Sequence, residues 1–106
     1  MNQSLDDRRK GYESKWAHDE ETRFKIQARR DYQLGLWAAG LKGLSGEAAD
    51  AFASSVVAAD MAEPGDEDVF RMLRAELEAG ISDAVIRGKM RDLLEAVSEQ
   101  VAKDLK

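Results

Sequence analysis

The sequence predicts an all-α fold, a four-helix bundle preceded by a flexible, helix-capable N-terminal arm. Three observations carry this. Hydrophobic residues make up 43% and charged residues 35% of the 106, with Ala, Glu, Leu, Arg and Lys prominent and a single proline, which suits helices and disfavours a sheet. Apolar residues recur at spacings of three and four in successive segments. Turn residues punctuate those segments at Gly43-Leu44-Ser45-Gly46, Glu63-Pro64-Gly65 and Ala79-Gly80. Residues 1–18 read as a mobile arm, and residues 19–106 as the bundle, with its first helix long and partly exposed.

The arm comes first. Ser4 is placed to cap a helix, with Asp7 three residues on. A helical wheel gathers Leu5, Tyr12 and Trp16 into one narrow stripe, flanked by Arg8 and Arg9. Gly11 interrupts it, at about 1 kcal/mol relative to Ala. So few large apolar groups do not offset the entropy of ordering the segment. It is therefore expected to be disordered when free and helical when bound. The alternative is a solvated tail.

The first helix is predicted from Asp19 to Lys42. Asp19, Glu20 and Glu21 suit the positive end of a helix dipole, and Asp19–Arg23 and Glu21–Lys25 are acid-before-base pairs at i, i+4. Phe24, Ile26 and Ala28 share no face, so this half is expected to be solvent-exposed and to project beyond the body. Leu34, Trp37, Leu41 and Leu44 form the expected core stripe. Gly43 suits a C-terminal cap and Ser45 the next N-cap.

The second helix is expected from Glu47 to Met61, burying Ala48, Phe52, Val56 and Ala59. Asp60, Glu63, Asp66, Glu67 and Asp68 then form an acidic cluster. A cation site is one reading, but the acids lack the alternating spacing and central glycine of a calcium loop. The preferred reading is a helix start, with Asp66 as cap and Glu67 and Asp68 on the dipole. The third helix spans Glu67 to Glu78, with Val69 or Phe70, Leu73 and Leu77 inward. Ser82 caps the fourth, and Ile81 and Ile86 form a hydrophobic staple. Its stripe is Ile86, Met90, Leu93, Val97 and Val101, with Leu94 and Leu105 nearby. Gly88 marks close packing or a slight bend.

Charge and chemistry narrow the function. The net charge of -5 argues against nucleic acid as a partner. Residues 1–33 hold eight basic and seven acidic side chains, whereas residues 34–106 hold eight and fourteen. There is no cysteine and His18 is the lone histidine, which excludes disulfides, thiolate metal sites and multi-histidine sites. No signal peptide or membrane-length apolar run is seen, so a cytoplasmic protein without membrane insertion is expected. No nucleophile, base and phosphate-cradling loop come together, so an enzyme is not expected, nor a cofactor. Recognition remains: the arm fits helix-in-groove binding, with Leu5, Tyr12 and Trp16 as anchors. Arg8 and Arg9 would pair with carboxylates at the rim.

A family resemblance sharpens this. Asp6-Asp7-Arg8, Lys15-Trp16-Ala17-His18-Asp19-Glu20, Arg23-Phe24-Lys25, Ala28-Arg29-Arg30, Gly35-Leu36-Trp37-Ala38-Ala39 and Pro64-Gly65-Asp66-Glu67-Asp68-Val69-Phe70, in this order, resemble the zeta subunit family. That family comprises inhibitors of the alphaproteobacterial F-type ATP synthase. The resemblance runs from about residue 5 to the end of the chain. It implies a four-helix fold whose mobile arm inserts at a catalytic α/β interface of the ATPase head, near the γ subunit, and becomes helical there. It implies that ATP hydrolysis is blocked more than synthesis. Carried over, the partner-binding residues are Leu5, Asp6, Arg8, Arg9, Tyr12, Lys15, Trp16 and His18, and the partners are the α, β and γ subunits. The alternative reading is a non-inhibitory helical protein that binds adenine nucleotide weakly, or another protein, through its bundle.

Overall fold

A computed structural model describes residues 20–63 and 65–104. Among these the regular elements are four α-helices and no strand: α1 (Glu20–Leu41), α2 (Gly46–Ala62), α3 (Asp66–Glu76) and α4 (Asp83–Asp104). Each helix packs against its neighbour along the chain, and α4 also reaches back to α1 and so closes the ring. The predicted helices are all present, within the end shifts expected of fraying termini. The predicted arm, Leu105 and the Asp19–Arg23 pair fall outside the described residues.

The turns form as their residues dictate. The Leu44 N–H donates to the Ala39 carbonyl at 2.8 Å, and the Gly43 N–H to the Gly40 carbonyl at 3.1 Å. With Gly43 at φ 79°, this is a Schellman ending of α1, and the left-handed conformation is why glycine stands there. Ser82 caps α4, its Oγ accepting from the Val85 N–H at 3.1 Å. Ile81 packs on the same core as Ile86, as a staple requires. Ser45 occupies the N-cap of α2 without a side-chain bond, and Gly65, not Asp66, occupies that of α3.

The main core gathers Leu34 and Ala38 of α1, Val56 of α2, Val69, Phe70 and Leu73 of α3, Leu77 just beyond it, and Ile86 and Met90 of α4. Predicted inward positions on α3 and α4 are thus met, although Leu93 and Leu94 are only half-buried. On α2 the buried residues are Ala53, Val56 and Asp60, while Phe52 and Ala59 are half-buried and Ala48 is exposed.

The expected stripe on α1 needs correction. Leu34 is fully buried, but Leu41 is 48% exposed, and Trp37 and Leu44 are half-buried. The face that packs is made of smaller residues, Gly35, Ala38 and Ala39. A Cβ on Gly35 would lie 2.5 Å from the Ala53 Cα, so α1 and α2 approach backbone to backbone there. Such close approach moves the large Trp37 and Leu41 to the flank. Gly88, by contrast, marks no close packing. A methyl group there would meet only Arg91 of its own helix, at 3.6 Å from Nη2, and no neighbouring helix comes near it.

The first half of α1 is also not the exposed projection its pattern suggests. Ile26 is buried in a second, smaller cluster with Val97 and Val101, with Leu94 against it. Thr22, Ile26, Arg30, Leu34 and Ala38 are all buried and lie on one i, i+4 row. The row is continuous in space but includes a threonine and an arginine, which an apolar template reads as breaks.

Candidate functional site

The buried polar residues of this row lead to the most unusual chemistry in the bundle. Arg30 is 0% exposed and Asp31 1%. The Arg30 Nε donates to the Asp31 Oδ1 at 2.8 Å. Its Nη1 donates to the Met90 carbonyl of α4 at 3.3 Å. Its Nη2 donates to the Gln27 Oε1 at 3.2 Å and to the Asp66 Oδ1 of α3 at 2.6 Å. One planar guanidinium thus joins three helices, a use for which arginine's fixed fork of donors is suited. Asp60 of α2 completes the set: it is buried, and its Oδ1 accepts from the Gly65 N–H at 3.3 Å.

The electrostatics follow from burial. The Asp31 carboxyl is pushed up to about 8, first by burial and next by the Asp60 carboxyl hydrogen-bonded to it, against the opposing pull of Arg30. Burial pulls the Arg30 guanidinium down, but Asp66 and Asp31 outweigh it, so its affinity for its proton is raised overall.

Beside this set, between the first half of α1 and the end of α2, runs an open groove of about 640 Å³. Phe24, Ala28, Val57 and Met61 form its apolar part, and Asp31, Asp60 and Asp66 its acidic wall. Phe24 and Met61 are the most exposed large apolar side chains in the described bundle, at 54% and 58%. A second groove continues from it past Tyr32 and Ser54, sharing Phe24, Ala28 and Val57. Glu20, the first described residue, borders both.

Leu5, Asp6, Arg8, Arg9, Tyr12, Lys15, Trp16 and His18 lie outside the described residues. The acidic cluster is divided between tasks. Asp66 pairs with Arg30, Asp60 holds the Gly65 N–H, and Asp66, Glu67 and Asp68 occupy the first turn of α3 as the dipole reading expects. Among the described residues no three acidic or histidine side chains are grouped to hold a metal ion. Nor is any described helix long and apolar enough to cross a membrane. Arg30, Asp31 and Asp60 are not legible as a set from the sequence. The available signal is a charged residue standing on a core-facing row: Arg30 four before Leu34, and Asp60 four after Val56.

Comparison with known proteins agrees with the resemblance. The family described as ATPase inhibitor subunit zeta matches residues 1–100. No curated protein and no solved structure matches the chain. The match spans nearly the whole chain, and the chain belongs to that family. That family is regulatory, and membership supports a role as an inhibitor of an ATP synthase.

Proposed function

From this membership we propose that the chain restrains its ATP synthase by inserting residues 1–18 at a catalytic α/β interface of the head, near the γ subunit. The observation that carries the reading is the extent of the family match, which begins at residue 1 and so includes the whole arm. The physical argument is helix-in-groove recognition. Leu5, Tyr12 and Trp16 fall on one stripe and supply the anchors; Asp6, Arg8, Arg9, Lys15 and His18 supply the polar rim. Residues 5–18 in helical form span about 21 Å at ~1.5 Å per residue, long enough to wedge between two subunits. The bundle is the rigid body from which the arm is presented, and α1 starts at Glu20 where the arm ends.

A helix wedged into an interface that must close arrests the rotary cycle. Rotation in the synthesis direction opens that interface and lets the wedge leave, so hydrolysis is blocked more than synthesis. Such a protein works in the cytoplasm, against the head of the membrane-bound enzyme.

ATP hydrolysis by the purified head, titrated with the full chain and with the Leu5→Ala/Tyr12→Ala/Trp16→Ala variant, tests this. Each anchor is worth more than ~1 kcal/mol if it is a hot spot, so the triple variant is expected to need over a hundredfold higher concentration. Equal inhibition by both proteins would remove the anchor assignment. Absence of inhibition by either would remove the function.

A further inference from the structure

The arm mechanism makes no use of the buried carboxyl pair, yet that pair sits where α1, α2 and the α2–α3 turn meet. Asp31 is 1% and Asp60 9% exposed, both line the same groove, and the Asp60 carboxyl is within hydrogen-bonding reach of Asp31. Two carboxylates in such a site repel one another strongly when both are ionised, whereas a single proton between them turns the contact into a hydrogen bond. Asp60 in turn holds the Gly65 N–H, and Arg30 holds Asp66 immediately beyond. We propose that the Asp31–Asp60 pair is a proton-held latch that fastens the α2–α3 turn to α1 and releases it when the shared proton is lost. Release loosens the acidic wall of the groove that Glu20 borders.

Every helix around the pair contributes to the setting. On α1, Arg30 favours the ionised form of Asp31, while Glu20 and Arg23 line the same groove farther out. On α2 the facing group is Asp60, and on α3 it is Asp66, reached through Arg30. The contact from α4 is the neutral Met90 carbonyl on Arg30. Burial and Asp60 prevail over Arg30, and the Asp31 carboxyl rises from 3.8 to about 8.

The sign is opposite to that of an ordinary salt-bridged aspartate. The folded chain keeps a proton that the unfolded chain gives up near 3.8. The stabilisation is therefore fully present below that pH and is lost as pH rises through about 8. Within this window the folding constant falls by up to about tenfold per pH unit.

The test is urea unfolding of the full chain between pH 5 and 9, compared with Asp31→Asn, whose amide keeps a donor without a titrating proton. The wild type is expected to lose stability as pH rises, and the variant to lose at least tenfold less in folding constant over the same range. Hydrogen exchange locates the effect: protection of the Gly65 amide is expected to fall between pH 6 and 9 in the wild type only. Parallel stability profiles in the two proteins would overturn the latch. Should the variant fail to fold, the side-chain carboxyl carbon of Asp31 in the wild type decides by NMR. Titration near neutrality or above supports the latch, and titration near 4 overturns it. None of these readouts depends on the ATP synthase.

Discussion

The two halves of α1 are buried by different means. From Leu34 onward the helix packs dry, with Leu34 and Ala38 fully enclosed and Gly35 against the backbone of Ala53. Before that point it packs through Thr22, Ile26, Arg30 and Asp31, and the burial of charge is balanced by bonds to three other helices. Apolar packing is tolerant, because one hydrocarbon of similar volume replaces another at modest cost. A buried charged set is not, because each member removed leaves its partner unsatisfied. The charged half starts at Glu20, whereas the dry half ends in the Schellman turn at the other end of the helix.

Substitutions can break or sharpen that contrast. The largest effect is expected at Arg30. Arg30→Ala removes the donor to Asp31, severs the tie to Met90 and leaves Asp66 without its cation, at about 3–5 kcal/mol in urea denaturation at neutral pH. A loss below about 1 kcal/mol would mean that the charged half contributes no specific stability. Leu34→Ala, in the dry half, should cost about 3 kcal/mol through the cavity it leaves, while Leu41→Ala on the flank should cost within about 0.5 kcal/mol. Similar losses at Leu34 and Leu41 would restore the stripe that periodicity suggests.

Gly35→Ala probes the contact between backbones. Its methyl group would collide with Ala53, and the helices must separate, at about 1–3 kcal/mol; thermal unfolding at constant pH measures this. An unchanged melting temperature would show that α1 and α2 have slack at that crossing. The smallest effect is expected at the cap of α4, where Ser82→Ala removes one bond to the Val85 N–H at about 1 kcal/mol. The helical signal in circular dichroism should change little, because the packed stripe from Ile86 to Val101 holds the rest of α4.

Much of the bundle is readable from the chain alone. Helix punctuation needs only local chemistry, so the roles of Gly43 and Ser82 follow from their neighbours. The inward faces of α3 and α4 are also readable, because Leu73, Leu77, Ile86, Met90 and Val97 are large and apolar at helical spacing. Periodicity fails where burial is achieved by small or charged residues. Gly35, Ala38 and Ala39 carry little hydrophobic signal, although they form the closest helix contact, and Arg30 and Asp31 carry the opposite signal. Of the candidate site, the arm residues rest on their own stripe and on the family pattern. The acidic wall of the groove has no sequence signature, because Asp31, Asp60 and Asp66 come from three different helices.

By itself, then, the sequence determined the class, the number of helices, the turns between them and the family, since each depends on local patterns or on an ordered set of residues along the chain. Only the tertiary structure decided which face of α1 turns inward, how closely α2 approaches it, and that two aspartates 29 positions apart are buried beside one groove. Those outcomes depend on the company a residue keeps across helices. A charged side chain is expelled or enclosed according to the partners that other parts of the chain bring to it, and that balance is struck only once the bundle has closed.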